Sequence, residues 1–241
     1  MYKVIENYKE LVDEVNKELN AFEKTFNVIS SNKHMILDAL LYTRVRDGYA
    51  AIIKLIINDL HTEAKIIARS TIEAYFKLVT HIDQPELSLE KLKNQSICNS
   101  NTMKIKTLCN GKYSTLLDEA KESDVSKMKK FNKENSTNIE KWAKLANKVE
   151  IYDYPYAFFS EDVHADLVSL EKKLVVEEKT IKGFKQGLDD SDLDKILSVT
   201  LDMMISSMKL INEKYQLESN KDCNMIDVLE EKLYEIANLK H

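Results

Sequence analysis

The stretch Ala64-Lys-Ile-Ile-Ala-Arg-Ser-Thr-Ile-Glu-Ala-Tyr-Phe-Lys-Leu-Val79 carries apolar residues around most of a helical circumference. A segment of that kind has to be enclosed by other helices. Ala64, Ala68, Ile72, Tyr75 and Val79 recur at spacings of three and four, and Ile66, Ile67, Phe76 and Leu78 widen the stripe. Its charges fall in a single i+4 row of His61, Lys65, Arg69, Glu73, Lys77 and His81. One reading makes that row a narrow solvent-facing ridge, with Arg69–Glu73 and Glu73–Lys77 pairs worth about 0.2–0.5 kcal/mol each. The other turns Arg69 and Glu73 towards a polar pocket inside the bundle.

The flanking sequence extends the helical pattern. From residue 2 to 30, Val4, Tyr8, Leu11, Val15, Leu19, Phe22, Phe26 and Ile29 alternate steps of four and three. That seam predicts a long amphipathic helix, packed on its own domain or paired with a second chain. Ser30-Ser-Asn32 supplies a break and a cap for an apolar helix over 33–59. Gly48 interrupts that helix at a cost of about 1 kcal/mol relative to alanine, which implies either a close helix crossing or a kink. Arg44, Arg46 and Asp47 sit beside it. Only four glycines and two prolines punctuate the 241 residues, too few for a strand-rich fold. The expected fold class is therefore all-α: a single up-and-down helical bundle over 1–241.

Beyond the turn at Asp83-Gln-Pro-Glu-Leu-Ser88 the chain becomes more polar, and 87–150 reads as a lysine-rich helical insertion or cap. Short helices are predicted near 88–97, 102–109, 113–122 and 137–149. Residues 121–148 hold eight lysines against four acids, although the whole chain has a net charge of −5. Phe131 and Trp142 lie among those lysines. Such a surface can hold single-stranded nucleic acid by phosphate contacts and base stacking, with Lys127, Lys129, Lys130, Lys133, Lys141 and Lys144 as candidate contacts. Equally, the run can be a solvated helix face with Trp142 turned to the core. Asp153 and Pro155 predict a helix start, followed by Tyr156, Phe159, Val163, Leu167 and Leu170 on a buried face. Residues 173–183 are the one stretch of credible strand material, and two further helices follow Asp189-Asp-Ser-Asp192 and Ser219-Asn-Lys-Asp222.

Several chemistries are excluded. There is no phosphate loop, nucleotide fingerprint or Gly-x-Ser-x-Gly. Glu161-x-x-His164 invites comparison with dimetal bundle sites, but His34, His61 and His81 have Ser31, Asn58 and Leu78 three residues earlier, so no second Glu-x-x-His exists. No metal or other cofactor is expected. Cys98, Cys109 and Cys223 lack metal-type spacing and read as reduced thiols. With no apolar run of about 18 residues, no membrane association is expected, and the composition predicts a cytoplasmic protein.

What remains is a looser set, Arg69 and Glu73 on one helix and Ser160 and His164 on another. Arg69-Ser-Thr-Ile-Glu-Ala74 after an apolar helix, and Tyr156-x-x-x-Ser160-x-x-Val163-His164, resemble two recurring signatures of an uncharacterised bacterial helical family. That family is similar in turn to the HEPN superfamily (higher eukaryote and prokaryote nucleotide-binding domains), which includes ribonuclease toxins and abortive-infection proteins. The resemblance spans residues 33–170. It implies a HEPN-like bundle in bacterial defence or stress, directed at RNA and acting as a metal-independent or degenerate ribonuclease. In that reading His164 is the base, and Arg69, Arg44 or Arg46 is the cation that stabilises the phosphorane, within one chain or across a homodimer. The chain departs from the pattern in one respect. HEPN ribonucleases share Arg-x4-6-His, whereas here Phe159 stands five residues before His164, and no arginine lies four to six before any histidine. The alternative is a non-catalytic interaction module that binds a partner protein or dimerises through 2–30 or 225–236. His164 would then be a core histidine bonded to Glu73 or Ser160.

Overall fold

The computed structural model describes residues 3–109, 122–160, 174–177, 180–184, 189–217 and 222–238. It is an all-α bundle with one short antiparallel hairpin. The helices are α1 (Lys3–Thr25), α2 (Lys33–Ile57), α3 (His61–Asp83), α4 (Pro85–Cys109), α5 (Glu122–Asn135), α6 (Ile139–Leu145), α7 (residues 149–160), α8 (Asp190–Tyr215) and α9 (Asp222–Asn238). Strands β1 (Leu174–Glu177) and β2 (Thr180–Phe184) lie between α7 and α8 in sequence.

The periodicity of the sequence is the reason for this arrangement. The four-three seam of α1 buries Val4, Tyr8, Leu11, Val15, Leu19 and Phe22 against α8 and α9 of the same chain. Helix α3 is apolar on nearly all sides and is accordingly central, touching α2, α4, α6, α7 and α8. Ala68, Ile72, Phe76 and Leu78 from α3 share one core with Ile52 of α2, Trp142 of α6, Phe159 of α7 and Leu197, Leu201 and Met204 of α8. Burying a side chain of that size contributes about 1.5–3 kcal/mol. Polar caps fix where helices begin. Asn32 Oδ1 accepts from the amides of His34 and Met35 at 3.1 and 3.0 Å, and Asp189 Oδ1 accepts from Asp192 N at 2.9 Å.

Gly48 marks a close crossing. A Cβ built there would lie 2.1 Å from Thr71 Oγ1 and 2.9 Å from Thr71 Cγ2. The glycine lets α2 and α3 approach side by side, which the missing side chain alone permits.

Several boundaries differ from the sequence pattern. Asn99-Ser-Asn101 does not break α4, which runs unbroken from Pro85 to Cys109. Its polar residues instead face α5, a helix the apolar pattern does not predict over Glu122–Asn135. Asn132 donates to Cys98 O and Thr102 Oγ1, Asn101 donates to Asn132, and Gln95 Oε1 accepts from Thr137 N. Amides thus do between α4 and α5 what apolar residues do elsewhere, so hydrophobic periodicity is silent there. The predicted helix at 113–122 lies almost wholly outside the described residues. The predicted helix over 137–149 divides at Asn147, whose φ of 52° ends α6 and precedes α7. α1 stops at Thr25, short of residue 30, and α2 ends at Ile57, short of residue 59.

Gly48→Ala is expected to destabilise the fold by about 1–3 kcal/mol, because overpacking against Thr71 outweighs the gain of about 1 kcal/mol in helix propensity. Urea unfolding checks this, and the loss should be smaller in a Thr71→Ala background.

Candidate functional site

The i+4 row of α3 is not a solvent ridge. His61, Lys65 and His81 are buried, and Arg69, Glu73 and Lys77 are partly buried. The row faces α7 in its middle and a polar corner at its C-terminal end.

Helix α7 is built to meet it. Pro155 does not start a helix here. It lies inside α7, where a π turn over Tyr152–Tyr156 absorbs the missing amide. Around that turn Tyr152 and Tyr156 stack, with ring centroids 5.3 Å apart and planes 20° apart. Tyr156 then points its hydroxyl between the two α3 charges. Arg69 Nε donates to Tyr156 Oη at 3.1 Å, and Tyr156 Oη donates to Glu73 Oε1 at 3.0 Å. The direct Arg69–Glu73 separation is 3.9 Å, so the phenol carries the coupling between them. The Arg69 guanidinium also lies 5.2 Å from the Tyr156 ring centroid, a cation–π contact. Burial, opposed by the Arg69 bond and reinforced by Glu73, raises the Tyr156 pKa above the ordinary phenol value. Tyr156 therefore stays protonated near neutrality and orients its neighbours; it is no base.

Arg69 and Glu73 keep 27% and 30% of their side-chain surface exposed. No further hydrogen bond holds the two terminal nitrogens of Arg69 among the described residues. The site therefore offers a fixed guanidinium able to take an anionic oxygen in two-point contact. A second guanidinium approaches the same helix from α2, where Arg44 Nη2 donates to Ser70 Oγ at 3.2 Å. Arg46 turns away: it pairs with Glu23 of α1 at 2.7 Å and with Asp47 at 2.8 Å. Nearby, the Phe158 ring receives Lys65 at 3.8 Å and Lys195 of α8 at 4.9 Å, which adds positive charge beside α7.

Of the sequence-derived candidates, Arg69 and Glu73 meet at Tyr156. Ser160 is one turn further on, and its Oγ donates to the Tyr156 carbonyl at 2.6 Å, so its proton is held by its own helix. His164 and Glu161 lie outside the described residues, as do Val163, Leu167 and Leu170 of the predicted buried face. Tyr156 is the residue that sequence reasoning placed in the apolar face and missed as a polar bridge. Its signal was its place at the head of the Tyr-x-x-x-Ser signature. Lys127, Lys129, Lys130, Lys133, Lys141 and Lys144 are all exposed, on α5 and α6. Trp142 is buried in the core and Phe131 is half-buried, so neither ring is laid open among those lysines. No group of three or more His, Cys, Asp or Glu side chains is placed to hold a metal among the described residues. No described helix is long and apolar enough to cross a membrane.

Tyr156→Phe removes the bridge while keeping the ring, and it should cost about 1 kcal/mol by denaturant unfolding. Glu73→Gln, which still accepts a hydrogen bond from the phenol, should cost less.

Comparison with known proteins adds a family and no activity. No curated protein and no solved structure matches the chain. A family of unknown function matches over residues 34–181, from the second residue of α2 through α7, with the whole Arg69–Tyr156–Glu73 arrangement inside. That span is more than half of the 241 residues, and the chain belongs to this family, DUF5677.

Proposed function

We propose that the protein is a HEPN-like bacterial defence or stress protein whose target is RNA, engaged by the α3–α7 site and by the lysines of α5 and α6. The observation that carries this reading is the Arg69 guanidinium, fixed by Tyr156 and Glu73 yet still partly open to solvent. A preorganised guanidinium of this kind suits a phosphodiester oxygen, in the ground state or in a phosphorane. Arg44, which reaches Ser70 on the next position of α3, supplies a second cation on an adjacent phosphate. His164 serves as the proton acceptor for a 2′-hydroxyl if the chain cleaves, and Glu73 holds Arg69 in register. Cleavage by this route needs no metal, since an imidazole and a guanidinium together supply base and charge stabilisation.

The test is binding and cleavage of mixed-sequence single-stranded RNA by the full chain, with chelator present. The chain should bind at low salt, and replacing Lys129, Lys130 and Lys133 together by alanine should weaken binding. Each lost phosphate contact should flatten the salt dependence by about 0.7 in log–log slope. Arg69→Ala and His164→Ala should abolish any cleavage while leaving the melting temperature within a few degrees of the parent. A chain that neither shifts nor cuts RNA at low salt overturns the reading.

A second reading, a non-catalytic interaction module that forms homodimers, rests on a different observation. The seam of α1 is consumed within the chain, and α9 buries Ile226, Leu229 and Leu233. Ile57 and Leu60 at the α2–α3 turn and Ile66 one turn into α3 are nevertheless exposed, at 63%, 46% and 40%. Under this reading the chain sediments as a dimer, and Ile57→Glu with Ile66→Glu converts it to a monomer. A parent chain that sediments as a monomer removes it.

A further inference from the structure

The corner where α2, α3 and α4 meet carries a second polar cluster that the α3–α7 site does not use. Asp38 of α2 and His81 of α3 are both fully buried. Asp38 Oδ2 accepts from Lys214 Nζ at 2.7 Å and from Tyr215 Oη at 2.6 Å, both from the end of α8. Its other oxygen, Oδ1, makes no hydrogen bond and stands 3.9 Å from His81 Nε2. Neither ring nitrogen of His81 has a side-chain hydrogen-bond partner, although the His34 backbone lies close enough to favour its imidazolium. One turn before Asp38 on α2, His34 stacks on His81, with ring centroids 5.3 Å apart and planes 29° apart. His34 Nε2 lies 2.9 Å from Glu86 Oε1, in the first turn of α4, and Lys33 reaches the same carboxylate at 3.2 Å. Ser88, buried two residues on, also has an unbonded hydroxyl. One residue, Gln84, joins α3 to α4 here, so this stack is the seat from which the α4–α5 pair springs.

We propose that this corner is a proton-sensing joint: uptake of a proton by His81 breaks the His34–His81 stack and loosens the seat of the α4–α5 pair. The groups facing His81 are Asp38 and His34 from α2 and Lys214 with Tyr215 from α8, while Glu86 and Lys33 act on it through His34. Asp38 favours the imidazolium, but its charge is already engaged by Lys214 and Tyr215. Burial, Lys214 and a charged His34 all oppose it. Burial is the largest of these, and His81 is held below the ordinary histidine pKa. Unfolding or local opening frees the ring to bind a proton at its ordinary value near 6.5, so the stack is fully stable above that pH and weakens as pH falls below it. Glu86 is held below the ordinary carboxylate range by Lys33 and His34, so its surface link persists through the same window. The inference is independent of whether RNA is the target.

Hydrogen exchange of the full chain at about pH 7.5 and about pH 5.5, corrected for intrinsic rates, reads the joint directly. Peptides covering residues 78–95 should lose protection by as much as about tenfold per pH unit below the histidine range, while peptides of α1 and α8 change far less. His81→Gln, which cannot take up the proton, should flatten that response. His34→Gln, at the half-exposed ring, should weaken it without endangering the core. His61 is also held below its ordinary pKa by burial, but it sits at the far end of α3 and does not enter these peptides. Protection at 78–95 that stays constant or rises on acidification of the parent chain overturns the proposal. So does a pH response that survives in both variants, or a His81 ring resonance that titrates near its ordinary value in the folded chain.

Discussion

The close approach of α2 to α3 is the constraint on which the other features rest. Glycine at position 48 lets two apolar helices lie against each other with only the Thr71 side chain between them at that point. Arg44 can then reach Ser70 across the seam, and His34 can stack on His81 at the opposite end of the pair. Interhelical distance here is set by one short side chain seated on the Gly48 backbone, which is less compliant than a layer of long side chains. Polar geometry on both flanks of α3 therefore inherits its precision from one missing methyl group.

The same helix shows how a protein interior accommodates charge. A row of six ionisable side chains on a central helix would be ruinous if each were buried alone. Each position answers this differently. Arg69 and Glu73 sit at the margin, with a phenol between them and water within reach. Lys65 lies over the face of Phe158, where the ring quadrupole replaces part of its hydration. His81 is kept neutral by burial, and one oxygen of its nearest carboxylate is bonded twice from α8.

Much of the fold was legible because it is written in hydrophobic spacing. The four-three seam of residues 4–22, the apolar wrap of 64–79 and the caps at Asn32 and Asp189 all report local physics that survives into the folded chain. Helix α5 was illegible because its seam with α4 is made by Asn94, Asn101, Asn132 and Asn135, and amides carry no periodic hydrophobic signal. The junction at Pro155 was misread for a related reason: a proline is a helix start in most contexts, and only the widened turn around it permits continuation. In the site, Arg69 and Glu73 were visible as charges on an apolar helix. The role of Tyr156 was not, since a tyrosine presents the same spacing whether its hydroxyl points to solvent or to an ion pair. Asp38 escaped notice for a comparable reason, because its partners Lys214 and Tyr215 lie some 176 positions away along the chain.

The widened turn in α7 has a consequence for how this segment can vary. A helix assigns each side chain its direction by counting residues, and a π turn resets the count by one without ending the helix. Tyr156 and Phe159 reach α3 and the core on the far side of that reset. Deleting a single residue from 152–156 would restore regular pitch and leave everything beyond it facing nearly as before, because five wide steps and four regular ones both come to about one turn. Phe159 would stay in the interior. One residue more or less is absorbed here in the width of the turn, which the regular pitch on either side does not allow.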